Sequence, residues 1–299
     1  AAGMFAAISA ADEHTEVHIY EHNEKLGKKL FITGKGRCNI TNGCDDVEEL
    51  LAHVVTNARF LYSAFYTFSN QDMMQFLSDQ GLKLKTERGQ RVFPVSDKSS
   101  DVIRTLERVL KDRGVYIHLR QEVKELLVEN GEICGIRLSD GQKVNADTVI
   151  IATGGMSYPS TGSTGDGYRM AEAAGHHVTK RVPSLVPMTV ADEWCPELQG
   201  LSLKNITFTM KCGKKNFYQE FGEMMFTHFG ITGPVVLSGS THLAPYLKKG
   251  TVTAEIDLKP SLTDEQLDAR LLRDFKKNIN KQIRNSLSEL LPASMIPII

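Results

Sequence analysis

A short apolar strand ending in an acid, Val17-His18-Ile19-Tyr20-Glu21, most constrains what this 299-residue chain can fold into. Before it stands Ala1-Ala2-Gly3-Met4-Phe5-Ala6-Ala7, the pattern of the back half of a dinucleotide-binding glycine loop. Glu21 lies 18 residues past Gly3, close to the ~20 expected for an acid that bonds an adenosine ribose. Small residues at 4–11 favour a helix that can sit close to a sheet and bring its N-terminus to a phosphate. Two of the three motif glycines are absent, so an ordinary Ala-rich helix is the alternative for this segment alone. The strand and its acid favour the dinucleotide reading. They predict an α/β, Rossmann-like fold whose first strand would precede Ala1.

The run Gly27-Lys-Lys-Leu-Phe-Ile-Thr-Gly-Lys-Gly-Arg-Cys-Asn-Ile-Thr-Asn42 follows that strand. Gly34 and Gly36 permit close backbone approach, while Thr33, Arg37, Asn39 and Thr41 supply donors. Such a loop suits a pyrophosphate and the edge of a flavin ring. The alternative is a surface turn with incidental charge. Cys38 beside the Arg37 cation could be a redox thiol. It has no Cys-x-x-Cys partner, and a packing or ring-edge role is expected instead. The five cysteines are scattered, and His176-His177 has no ligand at metal spacing. Neither a metal site nor a disulfide framework is indicated, and a reducing cytoplasm is the default.

Further along, residues 46–81 read as mainly helical, with Leu61, Phe65, Phe68, Phe76 and Leu77 for packing. A helix over Asp101–Arg113 carries Val102, Leu106, Val109 and Leu110 on one face and stops at Gly114. A strand over Val115–Leu119 follows. Asn130-Gly131 and Asp140-Gly141 then separate the strands of a three-stranded meander near Val123–Val128, Ile133–Leu138 and Gln142–Ala146. Thr148-Val149-Ile150-Ile151-Ala152 is a continuous apolar run, the signature of a buried parallel strand. It leads into Thr153-Gly154-Gly155, where an open α/β sheet takes its ligand. Asp166 is expected to cap a helix over Tyr168–Ala174. Alternation at Leu203–Lys211 and Thr251–Leu258 indicates a β-rich module. Residues 263–291 read as helical, with Leu267, Leu271, Phe275 and Ile283 on one side. The domain reading is 1–186 for the Rossmann-like part, 187–260 for a β-rich insert and 261–299 for a helical segment, with a return to the first domain expected beyond it.

The net charge of −1 offers no global field for nucleic acid or anionic lipid. No apolar run is long enough to span a bilayer. Lys204, Lys211, Lys214 and Lys215 form a local basic cluster whose default is a solvated face. His228, set among Phe226, Phe229 and the glycines 230 and 233, is the candidate proton donor, with a buried structural histidine as the alternative.

Four separated motifs, Gly27–Asn42, Ala152–Gly175, Pro183–Pro187 and Gly222–Pro234, occur in an order that resembles the HI0933-like bacterial flavoproteins, also described as the aminoacetone oxidase or bile-acid-reductase family. The resemblance implies a two-dinucleotide-binding-type FAD domain interrupted by a β-rich insert and a small helical segment. It implies FAD held by Ala2, Gly3, Glu21, Lys28, Lys29, the loop Thr33, Gly34, Gly36, Arg37, Cys38 and Asn39, the backbone of Val123 near adenine, and Ala152, Thr153, Gly154 and Gly155. No second complete glycine fingerprint is present, so NAD(P)H is expected to visit the flavin directly as a transient co-substrate. The expected activity is oxidoreduction of a small organic molecule, with neither nucleic acid nor membrane as partner. An FAD-dependent RNA-modifying enzyme and a non-catalytic flavin-binding protein are the alternatives.

Overall fold

Small side chains at the start of the chain form helix α1 (Ala2–Ala10), which buries Met4, Ala7 and Ile8. Strand β1 (His18–Glu21) comes next, then a one-turn helix α2 (Lys28–Ile32) and the two-residue strand β2 (Thr41–Asn42). Helices α3 (Val47–Ala52), α4 (Ala58–Thr67) and α5 (Asn70–Asp79) fill the stretch read as helical. A capping box between Ser69 and Asp72 satisfies the first amides of α5. Strands β3 (Leu84–Glu87) and β4 (Arg91–Pro94) pair with β2 in the order β2-β4-β3, a small sheet that no sequence signal indicated.

Helix α6 (Ser99–Asp112) buries Val102, Leu106, Val109 and Leu110, as its periodicity predicts. Gly114, at φ 71°, supplies the left-handed residue that ends it. Strand β5 (Tyr116–Leu119) pairs parallel with β1, His18 opposite Tyr116 and Glu21 opposite Leu119. Val17, Ile19, Val115 and Ile117 share one face of this pair with the core of α1 and α6. The meander is present as β6 (Val123–Glu129), β7 (Glu132–Leu138) and β8 (Lys143–Asn145). Asn130 and Gly131 both have positive φ, the requirement of a tight hairpin turn.

The expected buried strand over Thr148–Ala152 is not formed: the segment is unpaired, and Ile150 is 61% exposed. A parallel strand needs a neighbour to take its amides and carbonyls. Among the described residues the parallel sheet is β1 and β5 alone, and neither pairs with it. Helix α7 (Asp166–Ala173) follows, with Gly165 rather than Asp166 at its N-cap. Asp166 instead sits in the first turn, where it accepts from Thr164 Oγ1 and pairs with Arg169. A carboxylate there interacts favourably with the helix N-terminus without capping it.

These elements make up the first of two units, Ala1–Thr179; the second is Lys180–Ile299. The computed structural model describes residues 1–298. The second unit holds β9 (Met188–Thr189), β10 (Ser202–Cys212), β11 (Lys215–Thr227), β12 (Gly230–Thr232), helix α8 (Pro234–Leu247) and β13 (Val252–Asp257). They build an antiparallel sheet in the order β13-β10-β11-β12-β9. Phe208, Met210, Met224 and Phe226 are buried with Val235 and Val236 of α8. Two helices follow, α9 (Asp264–Lys277) and α10 (Ile283–Ser286). The single helix read over 263–291 is therefore broken. The Asn278 side chain donates back to the Asp274 carbonyl at 2.8 Å, the kind of local bond that competes with helix continuation. Ile283 is 72% exposed rather than packed. No helix among the described residues is long and apolar enough to cross a membrane.

Candidate cofactor site in the first unit

The carboxyl end of β1 places Glu21 beside a hub built by Asn23. Glu21 Oε1 accepts from the Asn23 amide at 2.9 Å and from Asn23 Nδ2 at 2.7 Å. Asn23 Nδ2 also donates to the Thr161 carbonyl at 3.2 Å, and its Oδ1 accepts from Lys28 Nζ at 3.1 Å. Asn23 is buried and each of its polar atoms has a partner, so the hub is fixed rather than merely present. The Glu21 bonds described here all run to Oε1, which leaves Oε2 as an acceptor. A carboxylate oxygen placed this way can accept a hydrogen bond from a hydroxyl.

Lys29 joins two stretches distant in sequence. Its Nζ donates to Ser163 Oγ at 2.8 Å and Ser157 Oγ at 3.0 Å. Ser163 in turn lies against Gly154: a Cβ at Gly154 would stand 2.9 Å from Ser163 Oγ, and Gly154 has φ 79°. Only glycine meets both conditions without displacing the hydroxyl that Lys29 holds. Gly3 also closes on this stretch, since a Cβ there would lie 3.3 Å from Ala152 Cβ. Ala152, Thr153 and Gly154 are exposed and Gly155 is half-buried. The start of α1 with Ala2 and Gly3, the tip of β1, Lys28, Lys29 and the 152–155 turn thus form one neighbourhood.

The Thr33–Asn39 loop is a tight left-handed turn. Gly34, Lys35, Gly36 and Cys38 all have φ between 56° and 85°. A Cβ at Gly34 would stand 2.9 Å from the Asn39 amide nitrogen and 3.2 Å from Phe93 Cε1. The Cys38 amide donates to the Thr33 carbonyl at 3.0 Å, and Thr33 Oγ1 to the Leu30 carbonyl at 2.7 Å. Cys38 is fully buried, and burial pushes its thiol up, partly offset by a hydrogen bond with Thr33. A neutral, packed thiol is a poor redox nucleophile. Arg37 does not reach toward Cys38 as a free cation. It forks onto Glu87 at 2.5 and 3.3 Å and donates from Nε to Asp97 at 2.8 Å. These bonds hold the guanidinium charged, and the same bonds pull the Glu87 carboxyl below its ordinary value. Asp97 is lowered too, by Lys85 first and Arg37 second.

Val123 opens β6 opposite Leu138. His228 belongs to the second unit, exposed in the two-residue turn between β11 and β12, with its ring edge-on to Phe229 at 4.9 Å. Among the described residues no group of three His, Cys, Asp or Glu side chains could hold a metal. Sequence reasoning did not single out Asn23, Ser157, Ser163, Glu87 or Asp97. Asn23 carried a local signal, an Asx residue two positions past the strand-ending acid. The other four meet Lys29 or Arg37 only through folding.

A helix with glycine in its first turn, a strand tipped by an acid, and a glycine turn closing on that helix define the Rossmann-type dinucleotide-binding class. Residues 1–255 match the model of the HI0933-like protein Rossmann domain. The chain belongs to the HI0933-like family of flavoprotein oxidoreductases, as the four motifs imply. It is 31% identical, over 99% of its length and 72% of the relative's, to a 3-dehydro-bile acid delta(4,6)-reductase of Clostridium scindens. It is also 31% identical, over 100% of its length and 71% of the relative's, to a ribosomal RNA dihydrouridine synthase of Haemophilus influenzae. Among solved structures, the open conformation of a flavocytochrome c3 fumarate reductase is similar at TM-score 0.40 and 18% identity. That likeness covers 68% of this chain and 44% of the other, and is too distant to argue from.

Proposed function

We propose that this chain serves an FAD-dependent reductase that saturates a carbon–carbon double bond conjugated to a carbonyl group. The observation that carries the cofactor assignment is the neighbourhood of Glu21, Asn23, Lys29, Ser163 and Gly154 beside Gly3. Its parts fit the group: an available carboxylate oxygen for a ribose, a cation and amides for a pyrophosphate, and a cradle that a Cβ at Gly154 would fill. Glu21 would hold the ribose through Oε2 while Asn23 fixes Oε1. Lys28 steadies Asn23. Lys29, steered by the two serines, and the amides of Ala2 and Gly3 at the start of α1 face the phosphates. Thr33, Gly34, Gly36, Cys38 and Asn39 would hold the ring through backbone groups, Val123 would hold the adenine through its backbone, and Ala152, Thr153, Gly154 and Gly155 would complete the site. When bound, that cofactor supplies hydride-transfer chemistry between a nicotinamide and an electron-poor carbon. His228 is the candidate donor of the proton that completes the reduction, an assignment supported by residue chemistry and exposure alone.

The reaction class rests on what the two relatives' names have in common. A 3-dehydro compound with delta(4,6) unsaturation is a conjugated dienone, and dihydrouridine is uridine saturated beside a ring carbonyl. In both, a hydride and a proton add across an activated double bond, with NAD(P)H as the two-electron donor here. The substrate we favour is a small organic molecule. RNA is a second reading, favoured by one feature. Lys214 in the β10–β11 turn, Lys215 at the start of β11, and Lys248 and Lys249 after α8 are exposed, and none is ion-paired among the described residues. Lys215 and Lys249 both approach the Tyr246 ring, at 5.7 and 5.1 Å. Clustered cations without a carboxylate favour a polyanion.

The test is anaerobic bleaching of the flavin of the intact protein by NADH or NADPH, followed by reoxidation with a steroid dienone, free uridine or a uridine-containing RNA. Reoxidation by any of these supports the class and ranks the substrates. Bleaching that only oxygen reverses sinks it.

A further inference from the structure

Arg37 sits in the loop assigned to the cofactor, yet its guanidinium is nearly saturated by protein. Nη1 and Nη2 fork onto Glu87 of β3, while Nε and Nη2 meet Asp97 Oδ1 at 2.8 and 2.7 Å. Lys85 Nζ closes the far side of Asp97 at 2.7 Å and lies 3.6 Å from Glu87. Beneath the guanidinium is the buried Phe93 ring, 4.1 Å from its central carbon. Gly34 packs against that same ring. Phe93 therefore has Arg37 and the start of the loop as neighbours, and the two carboxylates press Arg37 onto it.

The loop needs such a clamp. Lys35 and Cys38 are non-glycine residues at φ 59° and 62°, a region that carries steric cost and persists only where surroundings enforce it. Its internal bonds are few, and its second support is the Ile40 amide on the Val92 carbonyl at 2.8 Å. A Cβ at Gly36 would meet nothing within 4 Å, so one side of the turn is open to a ligand.

We propose that Glu87 and Asp97 are positioning residues that act through Arg37, and that Arg37 is a strut for the loop rather than a phosphate ligand. The carboxylates and the Phe93 ring hold the turn in its left-handed form before any ligand arrives. The open backbone around Gly36 is thereby pre-shaped, and binding need not order it. The inference rests on the cofactor reading for what the loop holds, but not for how the loop is held.

The two roles of Arg37 predict opposite signs. A phosphate ligand would be freed by removing its competing acids, so Glu87→Gln and Asp97→Asn would tighten FAD binding. A strut would be released, and binding would weaken, by about fivefold for each lost carboxylate. Asp97 has φ 55°, which Asn tolerates, so Asp97→Asn keeps the turn it occupies. The experiment pairs FAD titration of the intact protein with limited trypsin digestion of its apo form. Cleavage after Lys35 and Arg37 should accelerate several-fold in both variants, and Glu87→Asp should restore protection in part. Tighter FAD binding, or an unchanged cleavage rate, overturns the proposal. A wild type that takes up no FAD, while the variants still open the loop to trypsin, leaves the strut standing and removes the cofactor reading instead.

Discussion

The two units of this chain are held together in different ways. In the second, a five-stranded antiparallel sheet carries its own order: β10 pairs on both sides, and Phe208 and Phe226 are only 0 and 1% exposed. In the first, the parallel sheet is a single pair of four-residue strands, and the 148–152 run that leads into the glycine turn is unpaired. The candidate cofactor residues cluster on this sparser scaffold. Side-chain bonds rather than a ladder keep them in place: Asn23 to Thr161, Lys29 to Ser157 and Ser163, Arg37 to Glu87 and Asp97. A ladder spreads its stability over many equivalent bonds. A polar hub concentrates it in a few side chains, each of which can be removed singly.

The largest effect that separates the units should come from Phe208→Ala. Truncating a fully buried phenylalanine costs about 3–5 kcal/mol, so melting of the second unit should fall sharply. Flavin affinity measured below that transition should not change. A proportional loss of affinity would show that the units are not energetically separate.

Glu21→Ala should act in the reverse sense. It removes a charged acceptor worth about 1.5–3 kcal/mol to a bound ribose and unties Asn23 from the strand. Titration should show much weaker FAD binding with little change in melting of the second unit. Unchanged affinity removes Glu21 from the ribose role.

Acid should erode the first unit's loop before the second unit's core. Glu87 and Asp97 titrate lower folded than unfolded. Their contribution is therefore complete above the ordinary carboxylate range and is lost as pH falls through their depressed folded values. Hydrogen exchange of the Thr33–Asn39 amides, corrected for intrinsic rates, should be flat near neutrality and lose protection only in acid below that range. Loss of protection near neutrality would point to another group.

The smallest expected effect on flavin affinity is that of His228→Asn, since the residue is exposed in a turn of the second unit. If His228 donates the proton, turnover falls by ~10²–10⁴-fold with FAD content unchanged. Normal turnover strikes it from the reaction.

What the sequence made legible follows from the range of the forces involved. Helix α6 and the meander are written in local periodicity and in the Asn130-Gly131 turn, and both are present as read. The Gly3–Glu21 spacing pointed to α1 and the acid at the end of β1, while the 152–155 turn was read separately from the apolar run before it; in the structure Gly3 lies against Ala152 although that run forms no strand. The strand expected at 148–152 failed because an apolar run states a preference for burial, not the presence of a pairing neighbour. Strand β11 was missed: where Met210 pairs with Tyr218 and Lys211 with Asn216 the extra residue lies in β11, which breaks its two-residue alternation. The partners of Arg37 lie 50 and 60 residues away, and no local pattern can announce them.

The parallel pairing of β1 with β5 has a kinetic consequence. It joins His18 to Tyr116, whereas the β10–β11 hairpin joins Cys212 to Lys215 across a two-residue turn. Closing the longer loop must be met in chain entropy before any contact rewards it, and parallel pairs cannot form by zipping from a turn. On refolding from denaturant, amides of β10 and β11 should become protected first. Those of β1 and β5 should follow in a slower phase, and Glu21 would reach its place only then. Pulse-labelled hydrogen exchange resolves the order, and the cofactor neighbourhood should be among the last parts of the chain to acquire its shape.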